Sequence, residues 1–256
     1  MNEILRRIKK EAEAMPAGFE LPNFYRVCAH EMEFCRKNFA EHPMLTRLRE
    51  DVIPFVRDNY GHGMEHAQKV AIEAGAIVLV ESRGGDVETA RRLALLAQVS
   101  GLLHDICRLE PDHAAKGAEM ARVILHDYPL SAADKEGISF AIANHEAFQS
   151  LSEPDGANAA LLSGALYDAD KFRWGPDNFT TTLWEICDYQ EWSLSEIIKR
   201  FPDGVEKIKE IASTFRTETG KKYGPEFIDL GLALGRRIYK LLLEFSPSYP
   251  ERRLNP

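Results

Sequence analysis

The sequence predicts an all-α fold, and three observations lead to this prediction. Apolar residues recur at helical spacing in several long segments, for example at Leu230, Leu234 and Ile238. No segment of useful length alternates apolar and polar residues as a half-buried strand would. Gly, Pro and Asn residues separate the helical segments. Because 45% of the 256 residues are hydrophobic, the chain can bury one large core, and we expect a single domain over residues 1–256.

The sequence pattern of the N-terminal part predicts helices that pack around the outside of this core. Residues 2–15 and 21–39 have helical patterns that a Pro-Ala-Gly segment separates, and a third helix begins after Pro43. Asn and Gly residues between positions 59 and 63 indicate a turn. We expect a helix after this turn, with a strongly apolar stretch over residues 74–80.

The second half of the chain predicts a series of core helices followed by outer ones. Ser131 is expected to cap one of them, with Asp134 completing a capping box. The predicted helices with clear patterns cover residues 87–103, 111–125, 131–144, 159–169 and 227–245. We expect breaks at three Gly- and Pro-containing segments, 175–176, 201–204 and 220–225.

Charge and cysteine content narrow the class of function. A formal net charge of −8 argues against binding to a nucleic-acid duplex, which usually requires a basic surface. The four cysteines form no CxxC pair, so they indicate neither a zinc knuckle nor a disulfide framework. The first 15 residues are charged and amphipathic, unlike a signal peptide, and no apolar run approaches the ~20 residues of a membrane span. We therefore expect a cytoplasmic protein that neither enters a membrane nor binds duplex DNA or RNA.

A His-Asp pair at the end of the most apolar helix is the strongest functional signal. His104 and Asp105 directly follow residues 93–103, which are almost all Leu, Ala, Val or Gly. A carboxylate in such surroundings needs a partner, and a metal ion bound by both side chains would provide one. The alternative is structural: His104 would then bond Asp105 or a backbone group and stabilise the helix end.

Other His and Asp residues occupy similar places next to apolar helices. The set that we predict as metal ligands is His66, His104, Asp105, His113, His145 and Asp168. His62 lies one helical turn before His66, and we assign it to the substrate side as a candidate proton donor, with a plain polar contact as the alternative. We expect Asp170 to be a helix-end or supporting carboxylate rather than a ligand.

The type and number of these ligands predict the metal. Imidazole and carboxylate together suit Fe, Mn, Co, Ni or Zn, whereas Mg or Ca would prefer oxygen ligands alone. Six ligands exceed what one ion with open positions needs, and a carboxylate such as Asp105 can bridge two ions. The sequence therefore predicts two divalent transition-metal ions that activate a water molecule.

The ordered set resembles the HD-domain superfamily of metal-dependent phosphohydrolases, in its subset with two metal ions. His66 in the segment Gly63-Met64-Glu65-His66, the pair His104-Asp105, and Asp168 in Tyr167-Asp168-Ala169-Asp170-Lys171 match the family pattern. His113 and His145 match the two additional histidines of that subset. The resemblance covers about residues 58–175 and leaves residues 1–57 and 176–256 as flanking helices. It implies hydrolysis of a small-molecule phosphate ester or nucleotide.

Within this resemblance, cationic residues are assigned to the substrate. Arg108 stands where many family members have Lys, and its guanidinium suits a phosphate group. We assign Arg108, Lys171 or Arg173 to stabilising the transition state, together with Asp105 as the bridging ligand. Two other functions stay open: a di-iron oxygenase with the same ligand order, and a non-catalytic binding protein. The sequence does not predict which of these metals is bound, which phosphate compound is the substrate, or the oligomeric state.

Overall fold

The helices surround a central pair that positions the predicted site residues. A computed structural model of the chain describes residues 3–55, 63–149 and 153–246, and these residues form helices and connecting turns without a strand. The all-α prediction is therefore confirmed for them. The helices are α1 (Glu3–Ala14), α2 (Asn23–Val27), α3 (Ala29–Glu41), α4 (Pro43–Val52), α5 (Met64–Glu81), α6 (Val87–Leu103), α7 (His113–Ile124), α8 (Ala132–Ala143), α9 (Ala157–Phe172), α10 (Leu183–Tyr189), α11 (Leu194–Ile211) and α12 (Glu218–Glu244).

Helix α5 lies at the centre and packs against α3, α6 and α9. It is buried because its sequence is apolar on nearly every side, from Ala67 to Val78. Its contact with α6 is very close at Gly101, where a Cβ atom would lie 2.5 Å from the Cα atom of Ala71. Glycine at this position therefore allows the two central helices to approach each other.

The remaining helices complete the core around this pair. Helix α8 packs against both α7 and α9. Helix α12 contacts α1, α5, α9 and α11. One cluster of buried apolar residues extends from Leu5 in α1 to Leu242 in α12. No helix in the described part of the chain is long and apolar enough to cross a lipid bilayer.

Local sequence signals set several helix boundaries as predicted. Helix α6 covers residues 87–103, and Asp86 caps its first turn by accepting a hydrogen bond from the Thr89 N–H. Ser131 and Asp134 form the predicted capping box of α8. These boundaries depend on side chains within one turn of the helix end, which explains why the sequence alone predicts them.

Other predicted boundaries are wrong. Residues 21–39 form two helices, α2 and α3, that meet at Cys28. Helices α11 and α12 continue through Pro202 and Pro225, where we predicted breaks. Buried side chains lie on both sides of each proline in sequence, including Phe201 and Ile208 in α11. We attribute the continuity to this packing, which compensates for the hydrogen bond that each proline removes.

Candidate metal centre

The predicted His-Asp pair lies where α6 ends in the core. His104 follows the last residue of α6 and has no exposed side-chain surface, while the Asp105 side chain is 6% exposed. The two side chains lie side by side, with 3.4 Å between His104 Nε2 and Asp105 Oδ2. Both polar groups are therefore held in an environment that would strongly disfavour an uncompensated charge.

Five of the predicted ligands form two groups that share Asp105. The first trio is His66, His104 and Asp105, and the second trio is Asp105, His113 and His145. In the first trio, the Nε2 atoms of His66 and His104 are 3.2 Å apart. In the second, Asp105 Oδ1 lies 3.6 Å from His113 Nε2 and 3.4 Å from His145 Nε2. Each trio brings its ligand atoms close enough to hold one metal ion.

Asp105 presents a different oxygen to each trio. Its Oδ2 atom faces His66 and His104, at 3.8 Å and 3.4 Å, whereas Oδ1 faces the second trio. A carboxylate arranged in this way can bridge two ions. The bridging role that the sequence predicted for Asp105 is thus geometrically possible.

Backbone carbonyl groups orient the two most buried imidazoles. His104 donates from Nδ1 to the Gly101 carbonyl at 2.8 Å, and His145 donates from Nδ1 to the Ile142 carbonyl at 2.6 Å. Both Nε2 atoms consequently point toward Asp105. Histidines that bind metals usually donate their other ring N–H in this manner, because the bond fixes the tautomer and the ring orientation.

The carboxylates favour positive charge at the first trio. Burial alone would lower the pKa of His104, but Asp105 and Asp170 outweigh burial and raise the pKa to about 10. The pKa of Asp170 is held well below its usual value despite burial, because Lys171, His104 and His66 surround the carboxylate. A cation is therefore favoured among these side chains. The negative charges of Asp105 and Asp170 would attract a divalent metal ion in the same way.

Asp168, which we predicted as the last ligand, points away from both trios, whereas Asp170, which we expected only to support the site, lies beside the first trio. Asp170 Oδ1 lies 3.4 Å from His66 Nε2 and 3.7 Å from His104 Nε2. The Asp168 carboxylate instead accepts hydrogen bonds from the backbone N–H groups of Arg216 and Thr217, both at 2.8 Å, and from the Thr217 hydroxyl at 2.7 Å. Asp168 thus ties α9 to the segment before α12.

Two of the cationic residues that we assigned to the substrate, Lys171 and Arg173, are buried in ion pairs instead. Lys171 is 3% exposed and donates to Asp170, with the rings of Tyr167 and Trp174 beside it, so it neutralises Asp170 rather than facing a substrate. Arg173 is similarly buried and binds Glu73. His62 lies outside the described residues.

Arg108 lies against the second trio, as the sequence suggested. Its Nη1 atom donates to His113 Nε2 at 3.0 Å and lies 3.8 Å from Asp105 Oδ1. The Nε2 lone pair of His113 cannot serve a guanidinium and a metal ion at once. A metal in the second trio would therefore displace Arg108, whose half-exposed side chain lines the adjoining cavity.

Two features of the site were missed from the sequence. Glu146 Oε1 lies 3.4 Å from His113 Nδ1 and supports that imidazole from the side opposite Asp105. The adjacent residues His145 and Glu146 were a possible signal. In addition, Arg173 bonds both Glu73 oxygens at 2.8 Å and Asp177 at 2.9 Å, which ties the end of α9 to α5. No sequence spacing connects Glu73 with Arg173.

A cavity of about 870 Å³ opens at the candidate metal centre. Its near end contains His66, Asp170 and Arg108, together with Lys69 on the same side of α5 as His66. Its other walls come from the segment after α9 and from α10 and α11. Cavities of this size accommodate whole small molecules, so the ligand cluster faces a space that can hold a substrate.

No model of a known protein family, no curated protein and no solved structure matches this chain.

Proposed function

We propose that this chain is a metal-dependent phosphohydrolase that acts on a small-molecule phosphate ester or nucleotide. The observation that carries the proposal is the shared position of Asp105 between two trios of ligands at the end of a cavity. Two adjacent ions at such a carboxylate, when bound, lower the pKa of a water molecule and bind the phosphate oxygens.

The ligand chemistry supports a divalent transition metal at both positions. Four imidazoles and the carboxylates of Asp105 and Asp170 give a mixed nitrogen and oxygen set. This set suits Fe, Mn, Co, Ni or Zn better than Mg or Ca. Asp170 and the first trio would hold one ion, and the second trio would hold the other, with Glu146 fixing the orientation of His113.

Cationic side chains near the ligands support an anionic substrate. Arg108 would lose its bond to His113 when the second trio is filled, and its guanidinium could then bind two phosphate oxygens. Lys69 also lines the cavity, although Glu65 and Asp177 lie 2.9 Å and 3.4 Å from its amine. Arg108 is thus the principal candidate for stabilising charge that develops on the phosphate.

The ordered motif gives the same proposal independent support. The chain resembles HD-domain phosphohydrolases in its sequence pattern, in which Asp168 matches the closing carboxylate; we propose that Asp170 takes this role, because it lies beside His66 and His104. The di-iron oxygenases of this ligand order are the rival class, and the experiment below includes an oxygen measurement for that reason.

The proposal is tested by metal analysis and an activity screen of wild type and Asp105→Ala. We expect wild-type protein to contain up to two transition-metal ions per chain and to release phosphate from esters or nucleotides with Mn or Co added. Asp105→Ala should lose metal and activity together. Asp127→Ala is the matched control, because Asp127 follows His126 in an exposed His-Asp pair. Full metal occupancy in Asp105→Ala, or oxygen consumption by iron-loaded protein without phosphate release, would contradict the proposal.

A further inference from the structure

The cavity has two chemically different ends. The end next to the metal centre contains the ionisable groups of His66, Asp170, Arg108 and Lys69. The far end is lined by apolar side chains of α10, α11 and the turn between them, including Ile186, Trp192, Ile197, Phe201 and Ile208. The charged lining residues of α10 and α11 are Glu185, which pairs with Lys9, and the exposed Arg200, Asp203 and Lys207. Asn178, Thr181 and Thr182 also line the cavity.

From this division we infer that the substrate carries a flat aromatic or otherwise apolar group, which binds against Trp192 and the apolar wall of α10 and α11 while its phosphate lies at the metal centre. This inference rests on the proposed phosphohydrolase function and specifies the substrate class of that same site.

Size and solvation both lead to this substrate class. A volume of about 870 Å³ is near the upper end of the range for small-molecule sites, and far exceeds what a phosphate group alone would fill. A sugar or polyol placed against Ile186, Trp192 and Phe201 would put hydroxyl groups against carbon atoms, and buried hydroxyl groups without partners are costly. An apolar group would instead release water from both surfaces.

Trp192 is the side chain best placed to select such a group. It lies in the turn between α10 and α11, is half-buried, and has the Arg200 guanidinium 4.8 Å from its ring centre. Ile197 and Phe201 are almost fully buried and form a fixed wall of α11. The indole thus offers apolar area that a ligand can cover, whereas the wall behind it already belongs to the core.

The test combines ligand binding with a comparison of two esters on the full-length protein. Binding of 1-naphthol, which has no phosphate, is measured by calorimetry. Hydrolysis of 1-naphthylmethyl phosphate and glycerol 2-phosphate, which are both esters of alkyl alcohols and so have similar leaving groups, is measured with Mn added. We expect saturable 1-naphthol binding to one site and at least tenfold higher kcat/KM for the naphthylmethyl ester. Trp192→Ala should weaken 1-naphthol binding about tenfold and reduce the preference between esters, and Trp192→Phe should restore part of both.

Tyr189→Ala is the control, since Tyr189 is an exposed aromatic residue of α10 outside the cavity. It should bind and discriminate like wild type. Absence of saturable 1-naphthol binding, unchanged binding in Trp192→Ala, or equal kcat/KM for both esters would overturn the inference. Binding of 1-naphthol that depends on Trp192, without hydrolysis of either ester, would support the apolar site and contradict the proposed phosphohydrolase function.

Discussion

The carboxyl groups of Asp168 and Asp170 lie on opposite sides of α9 although only one residue separates them. Asp170 faces His66 and His104, whereas Asp168 faces the backbone of Arg216 and Thr217. In an α-helix, residues i and i+2 are separated by about 200° of rotation about the helix axis. The side chains of Asp168 and Asp170 therefore cannot face the same site. One carboxylate belongs to the candidate metal centre and the other to the connection between α9 and α12.

Exchanging each carboxylate for its amide should separate these two roles. We expect Asp170→Asn to weaken binding of the first metal ion about 10- to 100-fold, because it removes a charged neighbour of two ligands. Asp168→Asn should leave metal affinity within about threefold of wild type. It should lower the free energy of unfolding by about 1–3 kcal/mol, because an amide cannot accept all three hydrogen bonds as well as a carboxylate.

Metal titration and denaturant unfolding measure these two effects. The reverse result, with metal affinity sensitive to Asp168 and insensitive to Asp170, would restore Asp168 as the ligand.

Removing Arg108 should reduce catalysis without reducing metal binding. Hydrogen bonds to charged groups contribute about 1.5–3 kcal/mol, so Arg108→Ala should lower kcat/KM for a phosphate ester by about one to two orders of magnitude. Arg108→Lys should recover part of this loss, since an ammonium cannot bind two oxygens in the same plane. The affinity of the second trio for its ion should stay equal or rise, because Arg108 donates a hydrogen bond to His113 Nε2 in the structure, and that bond would compete with the metal.

Steady-state kinetics and metal titration on the same preparations check this prediction. Wild-type kcat/KM in Arg108→Ala would show that the guanidinium does not contact the substrate.

Glu146 should affect metal binding through its contact with the His113 imidazole. Because its carboxylate lies 3.4 Å from His113 Nδ1, Glu146→Gln should weaken binding of one of the two ions about tenfold or more. Competition with a chelator measures the two dissociation constants separately. Glu119→Gln, an exposed substitution on the same helix as His113, is the control and should have no effect. Two unchanged dissociation constants in Glu146→Gln would leave this residue without a role at the metal centre.

A methyl group at Gly101 should separate the two central helices. The added Cβ atom would lie 2.5 Å from the Cα and 2.6 Å from the N of Ala71, both backbone atoms that cannot rotate away. We expect Gly101→Ala to destabilise the fold by at least about 1–3 kcal/mol. It should also weaken the first metal site, because Gly101 accepts the hydrogen bond that orients His104.

Thermal unfolding and metal titration test this substitution. Gly137→Ala in α8 is the matched control, since the nearest atom to its added Cβ would be 3.6 Å away. It should be neutral or slightly stabilising, because alanine favours helix more than glycine does. Equal stability of the two variants would contradict the close contact between α5 and α6.

The capping box of α8 should give a defined pH dependence. Partial burial would raise the pKa of Asp134, but Arg92 and Ser131 outweigh burial and hold it below the usual Asp value of 3.8. The folded state thus favours the carboxylate, so its contribution is fully present above the pKa of the unfolded chain. That contribution is lost as the pH falls through the folded-state pKa.

We therefore expect Asp134→Asn to lower the free energy of unfolding by about 1 kcal/mol at pH 7. The difference from wild type should shrink as the pH falls below about 3.8. Urea unfolding at several pH values measures it. Asp229→Asn, an exposed substitution in α12, should show no comparable pH-dependent difference. A difference for Asp134→Asn that is constant across the pH range would contradict the charge-based account.

The sequence by itself predicted the helical class, the ends of α6, the capping box of α8, and Asp105 with the four histidines that meet at it. The helix ends and the capping box depend on information that is local in the chain, whereas the four histidines were grouped with Asp105 by their order along the chain and their places next to apolar helices. Apolar periodicity, capping side chains and a His-Asp pair at the end of a buried helix all act within a few residues.

Only the tertiary structure decided between Asp168 and Asp170, because both are acidic, close in sequence and almost fully buried. The choice depends on what lies on each side of α9: imidazoles from α5 and α6 on one side, and backbone N–H groups before α12 on the other. The continuation of α11 and α12 through proline has the same origin. Contacts between segments distant in sequence outweigh local preference there, and a single sequence does not reveal which segments will meet.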